Sequence, residues 1–310
     1  MANLKASEDA FLSSVAKQRI TTYDGKLWEL YDVGDRTLTP LVCLPGTIGG
    51  PLIFHRVISA LQLAGGYRVI AIQHPVVWNH QEWVHSFDRL LDALHLHSVH
   101  IYGVCLGAFL AQKYCAVYPR RVLSLALTNG FCNTKVFGAN SPCIKMLPML
   151  PTFCLKKYVV GNFSHDGTSD VVRATMAYMS SELDSLTQLQ LASRLTLVSL
   201  SSDHLNWGIS IPHTRVTLID SYGGNNEFTT ELREQMYERY PEAKKALMKT
   251  AGDFPYLSHD DEVILQLRVC IAVLAMMSCS WMGCRCICGR MVTKHEGFET
   301  PKPREASETE

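Results

Sequence analysis

The chain has 310 residues, 47% of them hydrophobic and 19% charged, with equal numbers of acidic and basic side chains and a net charge of zero. Soluble domains usually carry about 25% charged residues, so this one is somewhat apolar for its length. The balance leaves no basic footprint for nucleic acid and no field that would select a partner at long range.

The opening "MANLKASEDAFLSSVAKQ" mixes charges throughout and holds no apolar stretch of signal-peptide length, so a cytosolic protein is expected. Residues 1–25 read as an N-terminal extension. From about residue 26, strand-like and helix-like segments alternate, the pattern of an α/β fold with a mainly parallel sheet covered by helices on both faces. "KLWELYDVG" predicts the opening strand, and "PLVCLPG" predicts a short buried strand that runs into the glycine-rich turn "GTIGG". "FHRVISALQLAGG" predicts a helix stopped by Gly65 and Gly66. "YRVIAIQHP" is a continuous apolar strand closed by Pro75, and the next helix carries Trp83, Phe87, Leu90, Leu91 and Leu94 on one face.

The segment "VHIYGVCLGAFLAQKY" then joins a β-rich run to a helical one through Gly103-Val104-Cys105-Leu106-Gly107. That is the G-x-S-x-G frame of a nucleophile elbow with cysteine in place of serine, on the fifth strand in the order of the sheet. Glycines two residues before and after the nucleophile give the tight turn room. The turn would present the side chain to a helix N-terminus, where the Leu106 amide and the dipole favour negative charge. A cysteine so placed is expected to have a lowered pKa and some thiolate character. A second donor for an oxyanion is expected at Thr47 or Ile48.

After "VLSLALTNG", another buried strand, the alternation breaks, and residues 135 to 210 read as a helical cap with prolines at its joints. "RVTLID" restarts the strands, a polar helix "TELREQMYERYP" and a short strand "KALMKTAG" follow, and Ser258 with Asp261 predicts a capping box for a final helix. The expected organisation is a hydrolase-type core at 26–134 and 211–275, the cap at 135–210, and a tail at 276–310.

A thiol nucleophile needs a histidine base and an acid to orient it, in the chain order nucleophile, acid, histidine. Where the acid is expected the chain reads "SYGGNNEF", with Gly223 and Gly224 in the loop and Asp220 and Glu227 to either side. Where the histidine is expected, in "AGDFPYL", stands Asp253, which cannot act as a base poised near neutral pH. The remaining candidates downstream are His259, at the start of the next helix, and His295, in the tail. The site residue is therefore Cys105, read as a vestigial and inactive nucleophile position, with a Cys105-dependent ester or thioester hydrolase as the alternative.

Eleven cysteines, odd in number and scattered through regular elements, do not suggest a disulfide framework; Cys43, Cys115, Cys132, Cys143 and Cys154 read as reduced core residues. Neither cofactor nor metal is expected. "VCIAVLAMMSCSWM" is shorter than the ~20 residues that span a bilayer, and reads as a buried terminal helix. Cys284, Cys286 and Cys288 lack zinc-ligand spacing and, beside Arg285 and Arg290, are candidates for palmitoylation. Lys156 and Lys157 read as a solvated turn on the cap, and "NFS" at Asn162 to Ser164 as a sequon without use in the cytosol.

"LYDVG", "GYRVIAIQHPVVWNH", "GVCLGAFLAQK", "LKKYVVGNFS", "LASRLTL", "EQMYERYP" and "KTAGDFPYL" together resemble the maspardin family, a branch of the α/β-hydrolase superfamily regarded as non-catalytic. The likeness runs from about residue 26 to about residue 272. It implies an α/β-hydrolase fold and a cytosolic protein that associates peripherally with endosomal and trans-Golgi membranes. It also implies binding to the cytoplasmic tail of a T-cell co-receptor, with a restraining effect on that receptor's signalling. The chain departs from the family at Cys105, where serine is usual, at Gly223, where aspartate is usual, and throughout the segment after Val273.

Overall fold

The computed structural model describes residues 2–139, 144–160, 169–202, 211–221 and 227–281. Its elements run α1 (Ala2–Ser14), β1 (Gln18–Thr21), β2 (Leu27–Val33), β3 (Pro40–Leu44), α2 (His55–Ala64), β4 (Arg68–Ile72), α3 (His80–Ala93), β5 (Val99–Val104), α4 (Leu106–Val117) and β6 (Val122–Thr128). After these come α5 (Lys135–Ala139), α6 (Thr152–Val160), α7 (Asp170–Ser185), α8 (Gln188–Ser199), β7 (Val216–Ser221), α9 (Glu227–Arg239), β8 (Lys244–Met248), α10 (Pro255–Ser258) and α11 (Asp260–Trp281).

The strands form one sheet in the order β1-β2-β4-β3-β5-β6-β7-β8. The first two ladders, β1–β2 and β2–β4, are antiparallel, and every later one is parallel. The central strands are apolar at successive positions because both faces are covered. On β3, Leu41 and Cys43 pack with Val57, Ile58 and Leu61 of α2 and Val263 and Leu267 of α11. Val42 and Leu44 point the other way, onto Trp83, Phe87, Leu90 and Leu91 of α3 and Phe109 of α4. Burying an aromatic or leucine side chain contributes about 1.5–3 kcal/mol, so the apolar face predicted for α3 is what docks that helix.

Two expectations give way. The segment before residue 26 does not stand apart: β1 pairs Gln18 opposite Leu30, and α1 buries Leu4 and Phe11, the latter edge-on to Tyr31 at 5.2 Å. The polar "QRIT" hides a strand because its two faces are half-covered and exposed in alternation, and the partner strand supplies the register. Ser258 forms no capping box: its hydroxyl donates to the carbonyls of Ala251 at 2.6 Å and Phe254 at 3.3 Å, and α11 starts two residues on, at Asp260. The capping box lies instead at Thr187 and Gln190, which open α8.

Between β6 and β7 the described chain is helical. Its best-anchored helix is α8, where Leu191 to Ser199 are all buried. Cys43, Cys115, Cys132 and Cys270 are buried free thiols, Cys154 is a free thiol only half-buried on α6 and so not the core residue expected, and Cys143 lies outside the described residues. Among the described residues no helix is long and apolar enough to cross a membrane.

Candidate functional site

β5 delivers Cys105 to the carboxyl edge of the sheet at φ 49° and ψ −113°, a sparsely populated conformation that costs a non-glycine residue about 1–3 kcal/mol. The surroundings hold it there. Its N–H donates to the Thr128 carbonyl of the neighbouring strand at 3.0 Å, and its own carbonyl accepts from Phe109 of α4 at 3.2 Å. A Cβ on Gly103 would lie 2.6 Å from the Ala108 nitrogen, and one on Gly107 would collide with the Leu44 carbonyl. Strand and helix therefore approach as closely as the glycine frame implies.

The sulfur is half-buried and meets three donors: the N–H of Leu106, the N–H of Thr47 and the hydroxyl of Thr47. Of the two positions expected for the second donor, Thr47 holds it. The thiolate expectation is corrected. Burial pushes the thiol pKa up, the three donors oppose that, and the Asp253 carboxylate adds to the rise, so the thiol stays protonated at neutral pH. A helix N-terminus is not sufficient where desolvation and a nearby carboxylate act together.

The residues named for acid and base fall as follows. Asp253 stands in the turn after β8, beside the thiol; desolvation raises its carboxyl pKa although the residue is exposed at the rim. Asp220 is buried at the end of β7, its pKa raised by burial and opposed by the Tyr237 hydroxyl and the Arg233 guanidinium of α9. His259 faces its own turn, with Nδ1 3.0 Å from the Ser258 hydroxyl and Nε2 3.4 Å from the Thr250 hydroxyl. Among the described residues no histidine hydrogen-bonds the Cys105 sulfur. Gly223, His295, Cys284, Cys286 and Cys288, with Arg285, Arg290 and the Asn162 sequon, lie outside the described residues, as does the Glu227 side chain.

Several residues of the site were not foreseen. Asn129, at φ 45° after β6, accepts the Ser221 N–H at 3.0 Å and donates to the Asp253 carbonyl at 3.1 Å. Ser221 in turn donates to the Gly252 carbonyl. The pair Asn129-Gly130 after an apolar strand is a turn signal that fits this role. Tyr102 and Tyr256, both fully buried below the elbow, have pKa values raised by burial, and the Tyr102 hydroxyl pairs with that of Thr128 at 3.1 Å. His74 is also buried. It accepts the Trp83 indole N–H on Nδ1 at 3.1 Å, so its Nε2 carries the proton and donates to the Pro45 carbonyl at 2.8 Å. From the cap, Arg194 reaches the loop that carries Thr47, and the Ser193 hydroxyl bonds both to the Val77 carbonyl at 2.6 Å and from the Val77 N–H at 3.0 Å. Among the described residues, no group of three His, Cys, Asp or Glu side chains gathers as a metal site.

A parallel sheet entered by two antiparallel strands, a strained residue between β5 and α4, and two amide donors converging on its side chain define an α/β-hydrolase fold. Residues 39–153 match the family model described as alpha/beta hydrolase fold. An esterase from Thermogutta terrifontis superposes with a TM-score of 0.70 at 14% identity, over 84% of this chain and 99% of its own, a likeness of fold alone. Maspardins of Pongo abelii and Homo sapiens are each 40% identical over 283 residues, 87% of this chain and 88% of theirs. The chain belongs to the maspardin family.

Proposed function

We propose that this protein is a non-catalytic member of the hydrolase fold that works by binding other proteins. The observation that carries the reading is the company of Cys105: a desolvated, protonated thiol with a carboxylate, Asp253, where a base would stand. A carboxylate beside a thiol disfavours the thiolate instead of accepting its proton near neutral pH. By the family resemblance, the partner is the cytoplasmic tail of a T-cell co-receptor, whose signalling the protein restrains. Its place is the cytosol, with peripheral association to endosomal and trans-Golgi membranes. Loops and cap elements on a rigid sheet are where such partners dock.

The experiment pairs two measurements on recombinant protein. Turnover of aryl esters and thioesters should not exceed that of the Cys105→Ala variant, and an immobilised co-receptor tail peptide should retain both proteins equally. Turnover that Cys105→Ala abolishes would replace this reading with the second one, a Cys105-dependent ester or thioester hydrolase. The observation in favour of that second reading is the paired Leu106 and Thr47 amides, which are arranged as donors to an oxyanion.

A further inference from the structure

Arg194 is a cap residue with its guanidinium in the core, 1% exposed, and it spends one nitrogen on one loop. Nη1 donates to the carbonyls of Gly46 at 3.3 Å, Thr47 at 3.2 Å and Gly49. Nε and Nη2 have no hydrogen-bond partner among the described residues, so the side chain is buried for what Nη1 does. The rest of the loop is gripped in the same way: His74 holds the Pro45 carbonyl, and the Gly50 N–H donates to Glu182 of α7, whose charge also balances Arg194.

The consequence follows from the planarity of the peptide. In a trans peptide the C=O and the N–H point to opposite sides. The Gly46 carbonyl and the Thr47 N–H belong to one such unit. With the carbonyl drawn up to Arg194, the N–H is driven down to the Cys105 sulfur, where it is found. Gly46 allows the approach, since a Cβ there would sit 3.3 Å from the Cys105 Cβ. We infer that Arg194 is the positioning residue of the thiol pocket: a helix of the cap fixes the peptide plane that makes Thr47 a donor to Cys105. The arrangement holds whether the thiol reacts in the cell or stays silent. Arg194 does not touch the sulfur and acts through the peptide.

The charged and titratable groups around the thiol are Asp253 and Tyr256 from the turn after β8 and α10, with Tyr102 from β5, Glu182 from α7 and Arg194 from α8. All but Arg194 are left unchanged in the test. Full-length protein is alkylated with iodoacetamide across pH 6 to 10, and modification of the Cys105 peptide is followed by mass spectrometry. In Arg194→Met the midpoint of the profile should move up by about one pH unit, which is roughly tenfold slower labelling below the midpoint. Arg194→Lys keeps a single nitrogen for the same carbonyls and should lie within about threefold of the parent, on the same scale. A folded Arg194→Met with the parental profile would overturn the inference, because a residue that only glues cap to core moves stability and not this midpoint. If Arg194→Met does not fold, amide NMR of the parent decides. The Thr47 and Leu106 amide protons should shift together as Cys105 titrates, and a Thr47 amide indifferent to that titration would overturn the inference equally.

Discussion

Acidification should loosen this fold well above the pH at which carboxylates titrate, and His74 provides the test. Burial, with the Arg194 charge nearby, holds its pKa down to about 3, while His80 and His100, also pushed down chiefly by burial, lie at about 4. An unfolded histidine titrates near 6.5. Between about pH 4 and 6.5 the unfolded chain therefore takes up protons that the folded chain refuses, so stability rises with pH across that window and falls on acidification. At pH 5, about 1.5 units below the unfolded value, each of these histidines costs about 2 kcal/mol relative to pH 7, and the three together about 6 kcal/mol. Asp220, Asp253 and Glu182, with pKa values raised by burial, act in the opposite sense, so the measured loss should be smaller than that sum. The clean quantity is a difference. His74→Gln keeps a donor for the Pro45 carbonyl but cannot titrate, so urea unfolding at pH 7, 6 and 5 should show its stability falling by about 2 kcal/mol less than the parent's. Parallel curves for parent and variant would refute the reasoning, since His74 would then be protonated equally in both states.

Placing an imidazole where Asp253 stands is a direct perturbation of the thiol. Asp253→His exchanges a carboxylate that disfavours the thiolate for an imidazole, and should raise Cys105 alkylation at pH 7 by about tenfold or more, read on the Cys105 peptide. Gly107→Ala drives a methyl group into the Leu44 carbonyl, backbone against backbone, and should destabilise by about 1–3 kcal/mol in denaturant unfolding. Ser193→Ala strips the buried Val77 N–H and carbonyl of their partners and should cost about 2–4 kcal/mol, measured as the unfolding midpoint against an exposed control such as Ser13→Ala.

Much of the elbow was legible in the chain because its constraint is local. Gly103, Cys105 and Gly107 lie within five residues, and the turn they form needs little beyond a strand behind and a helix ahead. The apolar faces of α2 and α3 and the stop at Gly65 follow from local pattern in the same way. What could not be seen depends on distant partners. Arg194 looks like any arginine of a helix until the carbonyls of residues 46 to 49 are placed against it, nearly 150 residues away in the chain. The direction of the Cys105 pKa shift was misjudged for a related reason: the helix N-terminus is visible in sequence, whereas the desolvation that outweighs it exists only in the folded chain. Asp253 was legible as a substitution, but its closeness to the sulfur belongs to the fold. Ser258 had the spacing of a cap and a better partner, the Ala251 carbonyl, that spacing does not reveal.

Asn129 has a mechanical meaning as well as a chemical one. Through Ser221 and the Asp253 carbonyl its amide stitches together the ends of β6 and β7 and the turn after β8. The ends of the two strands and the turn are thereby tied to one side chain, and displacing any one of them costs that amide a hydrogen bond.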